Sequence, residues 1–297
     1  MQTTSRLAFT TTFLLASLSA SFSPGPVIAD DLPQVQPNPT NLTLEAGDTH
    51  LTLSLAELKK KLAVQTVTIQ DPVYNHPVTF DAFKFEDILK LLKSAASDSD
   101  QNKIADQKAP DEIVFGAIDG YAPSMPFSKF KGHVAYLAFQ EHGRKDGKRW
   151  GVVEQGKTKL TPAPYYFVWK EGTAIGDDFP WPYQLVRIEL VRFQEKYAKI
   201  YPAGLAPDSP EMKGFMTFKT QCIRCHSVNL IGGDIGPELN TPKNVLDYWN
   251  HDTLRAFIKN PGDFRAKDKM PPFPQFIDRD IDEIFAYFTY LKNHRSP

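Results

Sequence analysis

The chain has 297 residues, of which 41% are hydrophobic and 23% are charged, and its formal net charge is −1. This composition is typical of a globular protein, and the length is sufficient for two ordinary domains. Proteins that bind nucleic acid usually carry a strongly basic face. The nearly balanced charge therefore argues against a nucleic-acid partner.

The first 29 residues have the pattern of an export signal. Arg6 is the only charged residue before Asp30, and an apolar run lies between them. Residues 27–29 (Val-Ile-Ala) offer a small-residue cleavage site. The run is too short and too rich in Thr and Ser to span a bilayer, which needs about 20 apolar residues. We therefore expect a cleaved signal peptide at 1–29 and a periplasmic mature protein without a membrane span.

The next part of the chain predicts an extended arm and then a sheet-rich domain of the α+β class. The arm covers 30–44, and the domain covers 45–200. Ser54 and Glu57 have the spacing of a capping box at the start of a short helix that reaches Leu62. A second helix is predicted around residues 85–92. Alternating or continuous apolar runs predict strands at 64–69, 78–83, 113–118, 134–139, 165–169 and 185–193.

The C-terminal part of the chain predicts an all-α domain at 211–297. A linker is expected at 201–210, because this stretch contains three prolines and a glycine. Helices are predicted at 211–220, 247–260 and 278–293. The last is amphipathic, with its apolar residues on one face and acidic residues at its start.

The cysteines carry the chemistry that the sequence indicates most clearly. The only two are Cys222 and Cys225, and His226 follows directly, so the segment is Cys-Ile-Arg-Cys-His. This spacing is typical of covalent attachment of a c-type haem, in which both thiols bind the porphyrin and the imidazole binds the iron. The sequence therefore predicts one covalent haem c with His226 as proximal ligand.

Other chemistries of this cysteine pair are less consistent with the sequence. A redox-active dithiol is expected at a strand-to-helix turn, whereas these cysteines follow a predicted helix. A structural zinc site needs about four ligands, and no second cysteine pair exists. A disulfide between residues this close would be strained and would close almost no loop.

A second axial ligand is expected further along the chain. Met270 lies in the segment Lys-Met-Pro-Pro, where the prolines restrict the loop that would present its thioether to the iron. Met212 and Met216, by contrast, are consistent with ordinary packing. We therefore predict Met270 as the sixth ligand, with His251 or an open coordination site as the alternatives.

Residues 211–297 resemble a class I cytochrome c domain. The resemblance rests on the haem motif, on Gly214 and Phe218 before it, and on later segments of the same order. Those segments are Gly236-Pro237, the helix at 254–258 with Asn260-Pro261, the Met270 loop, and Tyr287 with Leu291. The resemblance implies that Gly214 lets the first and last helices cross closely. It also implies that the carbonyl of Pro237 accepts a hydrogen bond from His226 and orients it.

The first domain resembles the sulfite-oxidase-type molybdopterin-binding fold. The segments concerned are Asp119-Gly120-Tyr121 and Ser124-Met125-Pro126; in that family a similar turn lies beside the cofactor. Such enzymes bind molybdenum through a cysteine thiolate, whereas both cysteines here belong to the haem motif. We therefore expect no molybdenum site, and a domain that serves as a scaffold or docking module.

The histidines of the first domain are a weaker candidate for a metal site. His76, His133 and His142, with His50 at the edge, could bind copper or zinc if they converged with a carboxylate. Nothing in their spacing requires convergence. Separate surface or hydrogen-bonded histidines are therefore favoured.

The leading functional hypothesis is a periplasmic monohaem cytochrome that transfers single electrons between redox partner proteins. The alternative is an oxidoreductase whose N-terminal domain oxidises a small substrate and passes electrons to the haem, which would require a second metal or organic cofactor. A third hypothesis is a haem sensor in which Met270 dissociates and a gas binds. The single haem motif argues against a two-haem peroxidase.

Overall fold

The computed structural model describes residues 40–95, 109–155, 158–176, 178–266 and 268–294. The predicted signal peptide and residues 30–39 of the predicted arm lie outside this part of the chain. All described residues belong to one compact unit. No helix within the described ranges is long and apolar enough to cross a membrane.

A five-stranded sheet forms one layer of the N-terminal part. Its strand order is β2-β1-β11-β5-β6. The bounds are β1 Leu42–Ala46, β2 Thr49–Leu53, β5 Glu112–Ala117, β6 Ser124–Pro126 and β11 Leu185–Val191. β1 and β11 pair in parallel and the other neighbours are antiparallel. Alternate residues of β1, beginning with Leu42, are buried in the core.

A four-stranded antiparallel sheet forms the second layer, in the order β10-β7-β4-β3. Its strands are β3 Val64–Asp71, β4 His76–Lys84, β7 Ala135–Glu141 and β10 Tyr166–Trp169. Two helices, α1 Leu55–Lys61 and α2 Phe85–Ala95, complete the core, and α2 lies against strands of both sheets. A separate hairpin joins β8 Val153–Gln155 and β9 Thr158–Leu160.

The predicted capping box is present at α1. The Ser54 side chain accepts from the main-chain N–H of Glu57, and the Glu57 carboxylate accepts from that of Ser54. Strand β1 begins at Leu42, so it includes the last three residues of the predicted arm at 30–44. The pairing of β1 with β2 and β11 gives this segment main-chain partners that the local sequence does not reveal.

Three α-helices shape the C-terminal part: α3 Pro210–Thr217, α4 His251–Lys259 and α5 Asp278–Asn293. α3 continues into a π-helical turn, Phe218–Cys222. α5 has the predicted bounds. The helix predicted at 247–260 begins only at His251, because Asn250 caps it by accepting from the N–H groups of Asp252 and Thr253.

The C-terminal core begins before the predicted linker. Its buried cluster includes Tyr197 and Ile200, and the Tyr287 hydroxyl donates to the main-chain carbonyl of Ile200 at 2.9 Å. Tyr201 packs edge-on against Phe215 at a ring separation of 5.3 Å. The chain is therefore already anchored to the C-terminal core where it enters the 201–210 segment, and the domain boundaries stay a prediction.

Candidate haem site

The Cys-Ile-Arg-Cys-His segment forms a single turn at the end of the π-helix. The main-chain carbonyl of Cys222 accepts from the N–H groups of Cys225 at 3.0 Å and His226 at 2.9 Å. Both thiols are free. Burial raises the pKa of Cys222 to about 12 and also raises that of Cys225. A reactive dithiol needs a thiolate at neutral pH, so these raised pKa values do not favour that chemistry.

His226 is held by the loop that follows it. Its Nδ1 lies 2.9 Å from the carbonyl oxygen of Pro237, so Nδ1 donates and Nε2 keeps its lone pair. Burial lowers the pKa of His226, although the bond to Pro237 opposes this effect. The imidazole is therefore neutral at pH 7, which is the form that binds a metal. The contact is the one that the cytochrome c resemblance implied.

Gly236 lies directly against the imidazole. A Cβ at this position would be 2.4 Å from His226 Cε1, and the Gly236 N–H donates to the Cys225 carbonyl at 2.8 Å. Only a residue without a side chain allows the loop to approach the ring this closely. The Gly-Pro pair thus supplies both the close approach and the hydrogen-bond acceptor for His226.

Met270 lies half-buried against the same hydrophobic cluster as Cys222. Its N–H donates to Asp268 at 2.9 Å, and the Phe273 N–H bonds to the carbonyl of Ile258 in α4 at 3.3 Å. After burial and the Pro237 bond, the Asp268 carboxylate is the next influence on the pKa of His226, which it raises. The role of Met270 as sixth ligand stays a prediction.

His251, the alternative ligand, occupies a different setting. It is exposed at the first position of α4, and its ring lies 5.3 Å from that of Phe285. No contact that the structure records for it leads to His226.

Gly214 sets the crossing of α3 and α5. A Cβ there would be 1.9 Å from the Glu283 carbonyl oxygen and 2.9 Å from Tyr287 Cβ. The Tyr287 ring packs between those of Phe215 and Phe218, at 5.5 and 5.7 Å. The close approach of the two helices has the geometry that the resemblance implied.

Three asparagines near the site were not anticipated. Asn229, Asn240 and Asn244 are buried, and their side chains tie the loop after His226 to the carbonyls of α5. Asparagines in a polar, loop-like stretch are usually exposed, so local sequence offers no signal for this network.

The turn at Asp119-Gly120-Tyr121 in the N-terminal part contacts the Cys-x-x-Cys-His segment and the loop that follows it. The Ala122 N–H donates to the Arg224 carbonyl at 2.8 Å, and the Asp234 N–H donates to the Gly120 carbonyl at 3.2 Å. Burial raises the pKa of Tyr121, and the nearby Arg224 side chain opposes the shift. This turn therefore lies beside the Cys-x-x-Cys-His segment.

The histidines of the N-terminal part have separate partners. His142 Nδ1 lies 2.8 Å from Asp81, His133 lies 3.3 Å from Glu171, and His50 lies 3.5 Å from Glu45. His76 bonds to the carbonyl of Pro77 at 2.9 Å. Over the described ranges, no group of three or more His, Cys, Asp or Glu side chains is arranged to hold a metal ion.

The C-terminal part is similar to known cytochromes. Residues 209–288 match the family model described as cytochrome c oxidase, cbb3-type, subunit III. Cytochrome c oxidase subunit 2 of Alkalihalophilus pseudofirmus is 28% identical over 79 residues, which cover 25% of this chain and 23% of that protein. The chain thus spans less than a quarter of the length of this relative.

Two smaller relatives are covered over most of their length. Cytochrome c of Cochliobolus lunatus is 34% identical over 76 residues, which cover 20% of this chain and 70% of that protein. Cytochrome c of Kluyveromyces lactis is 29% identical over 97 residues, covering 26% of this chain and 86% of that protein. The neutral, oriented imidazole beside two free thiols fits the haem c that such a relationship implies. The chain belongs to the cytochrome c family.

Proposed function

We propose that the protein is a periplasmic monohaem c-type cytochrome that transfers single electrons between redox partner proteins. The observation that carries this proposal is the hydrogen bond from His226 Nδ1 to the Pro237 carbonyl, which leaves Nε2 of a neutral imidazole available to iron. Bound haem supplies a one-electron Fe(III)/Fe(II) couple.

The chain's own residues then hold and adjust the group. Cys222 and Cys225 would attach it, and His226 and Met270 would hold its iron. The Pro237 carbonyl fixes the orientation of the imidazole and increases its basicity. If His226 and Met270 both held the iron, no position on it would be left for a substrate, and the N-terminal domain would serve as a docking or scaffold module for the partner.

Replacement of Met270 tests the ligand assignment. Met270→Ala should lower the reduction potential and let carbon monoxide bind the reduced protein, because a thioether ligand stabilises Fe(II). Met216→Ala is the matched control, since this methionine is exposed on α3. An unchanged potential and spectrum in Met270→Ala, with a changed spectrum in His251→Ala, would transfer the assignment to His251. Tight carbon monoxide binding to the wild-type protein would instead favour the sensor.

A second candidate, an oxidoreductase with its substrate site in the N-terminal domain, is supported by one cavity. It measures about 740 Å³, and its lining includes Arg187, Tyr121 and Asp234, so it lies between the five-stranded sheet and the haem segment. Elemental analysis of the native protein decides between the two. One iron per chain and no other metal, without a second organic cofactor, supports the carrier; a stoichiometric second metal supports the enzyme.

Periplasmic export is tested separately. The proposal expects the mature protein in the periplasmic fraction, with its N-terminus at Asp30. Retention of residues 1–29 in the purified protein would exclude the cleaved signal peptide.

A further inference from the structure

A buried ion pair joins the N-terminal sheet to the helix that leads into the haem motif. Lys219 Nζ lies 2.5 Å from Glu112 Oε1, and the two side chains are only 6% and 3% exposed. Glu112 begins β5, whereas Lys219 lies in the π-helical turn, three residues before Cys222. The pair therefore connects two parts of the chain that are 107 residues apart.

The pair is buried among aromatic and polar side chains. The rings of Phe193 and Tyr197 lie 5.3 and 5.4 Å from Lys219 Nζ, within the range of a cation–π interaction. The Tyr197 hydroxyl donates to Ser124 Oγ at 2.8 Å, and the Ser124 side chain also bonds to Glu112. In such an environment charges are weakly screened and act on their neighbours more strongly than surface charges do.

Stability alone gives little reason for this arrangement. Removing two charges from water costs several kcal/mol per ion, and apolar residues of similar volume often replace a buried pair without loss. The position of the pair suggests an electrostatic role instead. Reduction removes one positive charge from the iron, so a nearby cation favours the reduced form and a nearby anion favours the oxidised form.

We propose that Glu112 and Lys219 are positioning residues through which the N-terminal domain sets the reduction potential of the haem. The Glu112 carboxylate holds the Lys219 ammonium beside the segment that carries Cys222. The same carboxylate compensates the positive charge of the ammonium. This inference rests on the proposed function, because it requires a covalently attached haem.

The test is a spectroelectrochemical titration of the purified holoprotein and of four variants. Glu112→Gln should raise the midpoint potential, because it leaves the ammonium uncompensated. Lys219→Gln should lower it at a pH high enough to keep the Glu112 carboxylate ionised, because burial raises the pKa of this group and the ammonium no longer opposes that effect. The double variant should return close to the wild-type value, and Glu112→Asp, which keeps the charge, should stay close to it.

The directions of the shifts distinguish this role from a structural one. A pair that only supported the fold would shift both single variants in the same direction, or neither, and that result would overturn the inference. Glu86→Gln is the control, since Glu86 forms an exposed pair with Lys84 in the N-terminal part and should not change the potential. If Lys219→Gln does not load haem, the midpoint potentials of Glu112→Gln and Glu112→Asp still test the inference. It requires the first to be raised and the second to stay close to the wild-type value.

The haem content of the wild-type protein separates the two proposals. A pyridine haemochrome spectrum measured before the titration reports covalent haem. Its absence would overturn the proposed function and this inference together. Haem-loaded variants with unchanged potentials would overturn the inference alone.

Discussion

The side-chain amide of Asn244 donates to the side-chain carbonyl of Asn240 at 2.7 Å, and both residues are fully buried. Asn244 also donates to the main-chain carbonyl of Phe288 at 2.9 Å. Asn240 donates to Leu291 of α5 at 3.3 Å and to the Asn229 side chain at 2.7 Å. This network connects the loop that follows the haem motif to the last helix.

Asn244→Ala should therefore destabilise the protein. The substitution leaves the buried Oδ1 of Asn240 without its donor, a loss worth about 1–3 kcal/mol. Asn293→Ala, at an exposed position near the end of α5, should change stability by less than about 0.5 kcal/mol. Denaturation of the holoproteins in urea measures both values. Equal effects of the two substitutions would show that the network does not contribute.

Gly214→Ala should separate α3 from α5. The new methyl group would lie 1.9 Å from the Glu283 carbonyl oxygen, and main chain cannot move aside cheaply. Overpacking of this kind costs about 1–3 kcal/mol. Gly262→Ala is the matched control, because its nearest neighbour would be at the ordinary contact distance of 3.4 Å. In thermal unfolding, Gly214→Ala should therefore unfold at a lower temperature than Gly262→Ala. A Gly214→Ala protein as stable as the wild type would contradict the expected steric conflict.

Gly236→Ala should disturb the haem ligand rather than the fold as a whole. A methyl group 2.4 Å from His226 Cε1 must displace the imidazole or the loop that carries Pro237. We expect a smaller low-spin fraction in the visible spectrum, with the folded content by circular dichroism close to that of Gly262→Ala. A normal low-spin spectrum would mean that the ring tolerates the contact.

Asp71 should give the stability of the protein a pH dependence that Asp71→Asn lacks. Its Oδ1 accepts from the N–H groups of Val73 and Tyr74 and from the Tyr166 hydroxyl, while its buried Oδ2 has no partner among the described residues. Burial raises its pKa above the ordinary value of 3.8, despite these bonds.

The raised pKa determines the sign of the effect. The folded state binds the proton more tightly, so the contribution of Asp71 is complete below its ordinary pKa and is lost as the pH rises through the raised one. The wild type should therefore lose stability relative to Asp71→Asn as the pH rises above about 4, the ordinary pKa of the group. Urea denaturation of both proteins across this range measures the difference. Parallel curves would show that Asp71 does not titrate differently in the folded state.

Local patterns were sufficient for several elements. The predicted bounds of α5 are confirmed, because its apolar spacing and acidic first turn lie within the segment itself. The same holds for the capping box of α1. The predicted start of α4 at residue 247 was wrong, because the sequence does not show which of several polar residues caps the helix. In the structure Asn250 caps it.

Long-range pairing was beyond local patterns. No strand was predicted at β1, whose first three residues fall in the predicted arm at 30–44, and its partner β11 follows about 140 residues later, beginning at Leu185. The sulfite-oxidase resemblance of the N-terminal domain stays a prediction. What the structure adds is the contact of Gly120 with Asp234, which places the turn of this domain against the haem segment.

The amino-acid sequence by itself determined the chemistry, because two thiols and an imidazole within five consecutive residues, Cys222 to His226, can be identified without knowledge of the fold. Tertiary structure alone decided what surrounds that chemistry. The lowered pKa of His226 depends on burial, and the pairing of Lys219 with Glu112 depends on how a helix meets a distant strand. Both arise from packing between segments far apart in the chain, where no local periodicity or spacing records which side chains will meet.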